Sequence, residues 1–194
     1  SQLDSVQNLK SGEITLDGLD VDTDLGWELL ISLAAGGRAT ALEIDGYLAE
    51  DNTATGAQSA AHARAALSGI QEKQAAWDSV WVEDDKPNLI VRATGLGFGK
   101  AHNPEILQPF VSQYFDSIDG IWETRSYAIA EELVESYYPA ALANDELAQA
   151  TRNYLATHTP PAPLRRLIVE NLAGTERTIA AQARDIQASK EGGK

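Results

Sequence analysis

The chain contains no cysteine and no methionine in 194 residues. Without thiols it forms no disulfide, offers no thiolate nucleophile and builds no cysteine-based zinc site. Histidine is scarce as well: His62, His102 and His158 lie about 40 and 56 residues apart. There is no HExxH and no other closely spaced histidine pair, which excludes a local helical zinc site. The three histidines are expected as surface or core singletons. Positive charge is also short, with 15 Lys and Arg against 29 Asp and Glu and a formal net charge of −14. Nucleic-acid binding needs a basic stripe to displace counterions from phosphate, and none exists here. The same balance excludes adhesion to an anionic membrane surface. No apolar run approaches about 18 residues, and no charged-then-apolar leader is present. The expected compartment is the cytoplasm. A zero count of methionine suggests a piece of something longer.

What is present favours helices. Alanine is abundant, charged residues make up 23%, and only seven prolines occur. Ala, Leu, Glu, Gln and Arg lose little side-chain freedom in a helix. Residues 1–23 are polar and rich in Asp, Ser and Gly, and read as an arm or linker with a short extended piece at "EITLDGL". From Asp24 the pattern changes, with Leu25, Leu29 and Leu33 at i, i+4, i+8, Asp24 as cap and Gly36-Gly37 as stop. "TALEIDGYLAED", the Ala-rich "DNTATGAQSAAHARAALSG" and "IQEKQAAWDSVWVEDD" give three more helices. Pro87 opens a fifth, which Gly95, Gly97 and Gly99 are expected to unwind. That glycine run is not GxGxxG and lacks the preceding β-branched strand of a dinucleotide fold.

Asn103-Pro104 restarts a helix that Pro109 should kink or divide. "TRSYAIAEELVESYYP" follows, with Tyr127, Ala130, Leu133, Val134 and Tyr137 on one face. Asn144 or Asp145 caps the next helix. The last shows Leu164, Ile168, Leu172, Ile179, Ala183 and Ile186 at helical spacing, before a frayed tail. About nine helices joined by short links imply stacked antiparallel hairpins. Trp27, Trp77 and Trp122 lie 50 and 45 residues apart, near the two-helix period of HEAT or armadillo units. The fold expected is all-α: an irregular HEAT/armadillo-like α-solenoid over residues 24–188, with a disordered tail over 189–194.

Residues 114–139 hold the densest cluster of aromatics and carboxylates. Glu123 and Arg125 flank the joint between two predicted helices, where side chains project into a cleft. Glu131 and Glu132 are helix neighbours pointing about 100° apart, a poor acid–base pair. Most of these carboxylates read as solvated faces and caps. Arg125, set among aromatics, is either a structural ion pair or a ligand contact. Arg92, among apolar residues of "LIVRATG", reads as a partly buried arginine that needs a partner. Arg165-Arg166 opposes the dipole at its helix start, so an acidic neighbour is expected. No Ser-His-Asp grouping, Walker loop or calcium loop is visible.

Several segments together carry a resemblance: "GLDVDTDLGWELLISLAAGG", "DNTATGAQSAAHARAAL" followed by "EKQAAW", "PNLIVRATGLGF", and "ILQPFVSQYFDSIDGIWETRSYAIAEELVESYYP". They resemble the C-terminal helical domain of bacterial aminopeptidase N, in the M1 family of zinc metallopeptidases, and most of all its actinobacterial type. That domain is similar to the one in the endoplasmic-reticulum aminopeptidases. The resemblance runs from about Gly18 to Ile186. It implies a curved helical stack that closes a peptide chamber over an upstream catalytic domain of the same polypeptide. Zinc, HExxH and a further Glu ligand would lie in that upstream domain, and no cofactor is expected in this chain. Arg125 and Arg92 match positions where the motif carries arginine. With Glu123 they are the candidate substrate contacts, Arg125 for a peptide carboxylate. Gly99, followed by "KAHNPE", departs from a pattern that often places an aromatic there, so no contact role is carried to the loop from Gly97 to Pro104. The alternative is a free-standing helical-repeat scaffold that binds a protein partner on its concave face.

Overall fold

The computed structural model describes residues 1–192. The described residues are all-α, with ten α-helices packed in sequential pairs and no strand. The chain divides into two compact units, residues 1–106 and 107–194.

The first unit holds α1 (Gln2–Ser11), α2 (Thr23–Ala35), α3 (Ala41–Glu50), α4 (Ala54–Ala66), α5 (Ile70–Trp81) and α6 (Asn88–Gly99). The predicted arm therefore contains a helix. Ser1 and Asp4 form a capping box at its start, and α1 packs on α2. The extended piece is a single bridge between Leu16 and Leu19. Asp22 caps α2, two residues ahead of the expected Asp24, by accepting from the Leu25 amide at 2.9 Å. Gly37, at φ 70°, supplies the left-handed residue that ends α2. Thr40 and Glu43 cap α3 reciprocally, an arrangement that contributes about 1 kcal/mol.

Helices α2, α4 and α6 pack side by side because the residues that α4 buries fully are all glycine or alanine. Ala60, Ala63, Ala65 and Ala66 are all buried. The glycine run does not unwind α6, which continues through Gly99. Burial explains why: a Cβ at Gly97 would collide with the His62 carbonyl oxygen and lie 2.8 Å from the Ala65 Cβ. Here glycine permits close helix approach and does not terminate the helix. Trp27 locks α2 to the end of α3, donating from Nε1 to Asp51 at 2.9 Å and meeting Tyr47 edge-on at 4.7 Å. Trp77 and Trp81 stack at 4.2 Å beside Phe98.

The second unit holds α7 (Phe110–Thr124), α8 (Tyr127–Ser136), α9 (Asp145–Thr157) and α10 (Ala162–Gly192). Pro109 divides the predicted helix into a 3-10 turn (Pro104–Leu107) and α7. Phe110, Tyr114, Ile118 and Ile121 form the buried stripe of α7. Tyr114 donates to the Val134 carbonyl at 2.7 Å, tying α7 to α8. Tyr138 sits between the hydroxyls of Thr151 at 2.9 Å and Thr175 at 3.0 Å, linking it to α9 and α10. Tyr127, expected on the buried face of α8, is instead exposed and donates to Glu131 at 2.9 Å.

The predicted apolar stripe of α10 is buried only in its first half, at Leu164 and Ile168. Ala183 and Ile186 are exposed, because α8 and α9, of 10 and 13 residues, are far shorter than the 31 residues of α10. Residues 189–192 of the expected disordered tail continue this helix, and 193–194 lie outside the described residues.

Two glycine substitutions separate packing from propensity. Gly97→Ala should cost about 2–3 kcal/mol in urea unfolding, because the added methyl overpacks the α4–α6 contact. Gly120→Ala, where a Cβ meets nothing within 4 Å, should stabilise by up to about 1 kcal/mol.

Candidate functional site

The joint between α7 and α8 is built by two residues. Arg125 leaves helical geometry at φ −90°, ψ 159°, while its amide donates to the Ile121 carbonyl. Ser126 then caps α8 through the Ile129 amide. Glu123 and Arg125 flank this joint as the sequence predicts, Glu123 exposed and Arg125 partly buried. Arg92 belongs to the other unit, on α6. The expectation that it is partly buried is corrected: Arg92 is exposed. Leu89, Arg92 and Leu96, at i, i+3, i+7, form the outward row of α6, whereas Val91, Thr94 and Phe98 form the buried one. Arg166 finds the acidic neighbours its position demands, Glu131 at 3.7 Å and Glu170 at 3.6 Å.

Two clefts accompany these residues. In the second unit a groove of about 550 Å³ runs between α7 and α9, walled by Phe115, Tyr154 and His158 and bearing Asp116, Asp119 and Glu146. Tyr154 is buried and donates to Asp119 at 2.6 Å. Burial, with Asp119 as acceptor, pushes its hydroxyl well above the usual tyrosine range. His158 stacks on the Tyr154 ring at 4.6 Å. This surface offers rings, negative charge and one hydroxyl–imidazole pair, Thr157 with the His158 Nδ1 at 2.9 Å, in which the Thr157 hydroxyl donates to the Asn153 carbonyl at 2.8 Å. Neither Glu123 nor Arg125 lines it. In the first unit an apolar cleft of about 380 Å³ is lined by α4, α5 and α6, with Ala65, Ala76 and Ile90 among its walls and Arg64, Glu72 and Lys86 as its charged residues.

The most unusual group is Lys73, which sequence reasoning missed. It is fully buried on α5. The three N–H groups of its ammonium are shared among four backbone carbonyls: Ala65 at 2.7 Å, Phe98 at 2.9 Å, Gly97 at 3.0 Å and Lys100 at 3.3 Å. These belong to the C-terminal ends of α4 and α6, where carbonyls lack intrahelical partners and carry negative partial charge. Burial still pushes the ammonium down to about 8. The signal in the sequence was its register. Lys73, Ala76, Trp77 and Val80 share the buried stripe of α5, so a lysine occupies a core position.

The description "ERAP1-like C-terminal domain" matches residues 3–177. The chain belongs to the ERAP1-like C-terminal domain family. It is also 37% identical over 189 residues to a protein named aminopeptidase N from Streptomyces lividans, a match covering 97% of this chain and 22% of that protein. The chain thus spans about a fifth of the length of this relative.

Among the described residues of this ERAP1-like domain, no group of three or more His, Cys, Asp or Glu side chains is arranged to hold a metal ion. The residues present do not fit a zinc centre. No described helix is long and apolar enough to cross a membrane.

Lys73→Met should lower the stability of this domain by about 3 kcal/mol near neutral pH, since the carbonyls lose their donor in a buried site. Between about pH 8 and pH 10.5 the unfolded chain holds a proton on Lys73 that the folded chain has released. The advantage of the wild type over Lys73→Met should therefore widen as pH rises through that window, measured by urea unfolding at stepped pH.

Proposed function

We propose that this chain is the C-terminal lid domain of an M1 zinc aminopeptidase N that removes N-terminal residues from peptides. One observation carries the reading: the relative named aminopeptidase N aligns with 97% of this chain but contributes only 22% of its own length. A region matched so completely, within a protein several times longer, suits a domain that serves chemistry performed elsewhere.

In this reading the zinc and its ligands belong to a catalytic domain of the same polypeptide, and the helical domain encloses the peptide chamber. Closure of such a chamber excludes water and commits the substrate. Arg125, partly buried at the α7–α8 joint, is proposed as the contact for a peptide carboxylate, with Arg92 and Glu123 as further substrate contacts. An arginine fork suits a carboxylate because it donates two parallel hydrogen bonds. A cytoplasmic location is part of this proposal.

The test has two arms. This chain alone should not turn over aminoacyl chromogenic substrates, with or without added zinc, and measurable turnover would refute the lid reading. In the longer enzyme, Arg125→Ala should raise KM for peptides about tenfold, the loss of one charge-assisted contact. It should spare a single-residue chromogenic substrate, which does not reach the lid. Equal kinetics on both substrates would remove Arg125 from the chamber.

A further inference from the structure

His62, on α4, presents a feature that the lid reading does not use. Its Nε2 is buried and has no hydrogen-bond partner. Its backbone carbonyl is the atom that excludes a side chain at Gly97, so α4 and α6 touch at the residue that carries this ring. Three charged groups act on it from the elements around it: Lys100 just beyond α6, Glu28 on α2 and Lys73 on α5. Two are cations and one is an anion. One of those cations, Lys73, already holds the carbonyls of Ala65, Gly97, Phe98 and Lys100. These surroundings favour the neutral imidazole over the charged one.

We propose that His62 makes the α4–α6 joint acid-labile: a proton taken from solvent at Nε2 puts charge on a buried nitrogen that has no acceptor, at the residue where α4 meets α6, and the C-terminal turn of α6 is released. The released stretch runs from Thr94 to Lys100, ending at the carbonyls that Lys73 gathers. Glu28 opposes the effect in part, since its charge favours the proton. Burial, with Lys100 next and Lys73 after Glu28, holds the imidazole below the usual histidine value of 6.5. The sign follows from linkage. Below about 6.5 the unfolded chain binds the proton more readily than the folded one, so stability present at neutral pH is lost as the solution is acidified. The inference concerns this chain by itself and is independent of the aminopeptidase reading.

The experiment compares wild type, His62→Gln and, as an exposed-histidine control, His102→Gln. Hydrogen exchange of peptides covering 94–100 is followed from about pH 7.5 to about pH 5, corrected for the intrinsic pH dependence of exchange. Wild type and His102→Gln should lose about tenfold of protection in that stretch on acidification, while His62→Gln keeps it. Parallel profiles in wild type and His62→Gln, or a loss of protection confined to other helices, would overturn the proposal. Should His62→Gln fail to fold, the ring titration of His62 in the wild type decides by NMR. A midpoint below 6.5 that coincides with shifts of the Gly97 and Phe98 amides supports the proposal. A midpoint at or above 6.5, or unmoved amides, overturns it.

Discussion

The first unit depends on a single buried cation. Helices α4 and α6 end close together, and each leaves carbonyl oxygens with no intrahelical donor. Two partial negative poles repel in a medium of low dielectric. Lys73 resolves this by reaching from α5 with its ammonium and donating to carbonyls of both ends. The approach it permits is close enough to require glycine at 97 and alanine at 65.

The second unit is held differently, by tyrosine hydroxyls that each reach a partner on another element. Tyr114 bonds the Val134 carbonyl, Tyr138 bonds two threonines, and Tyr154 bonds Asp119. Buried tyrosine needs such partners because its ring favours the core and its hydroxyl does not. Within the aromatic-rich stretch from 114 to 139, Tyr114, Tyr137 and Tyr138 are core, and the carboxylates Glu123, Glu131 and Glu132 do not converge on a reacting centre.

Much of the fold was legible in the residues. The stripe Leu25, Leu29, Leu33, the cap at Asn144 and the break at Pro109 each act through neighbours a few positions away, and local spacing reports them well. The glycine run of α6 misled, because glycine both ends helices and admits close neighbours. Only the neighbour, α4, distinguishes these uses. The second half of α10 misled for a related reason: its periodicity is helical, but the lengths of α8 and α9 decide what it buries. Among site residues, Glu123 and Arg125 stood at the predicted joint. Arg92 did not lie where its apolar surroundings suggested, since sequence neighbours of a helical residue are mostly on other faces. Lys73 was visible only as a register anomaly among Ala76, Trp77 and Val80.

The sequence by itself determined the all-α class, most helix limits, the absence of thiol chemistry and a resemblance spanning nearly the whole chain. These rest on composition, on spacings of three and four residues and on ordered motifs, all of which are properties of one dimension. Tertiary structure alone decided that Lys73 gathers carbonyls from residues 65 to 100, that Gly97 is a contact rather than a stop, and that the His62 nitrogen is left without a partner. Each of these depends on backbone atoms brought together from distant positions, and a backbone carbonyl has no letter in the sequence.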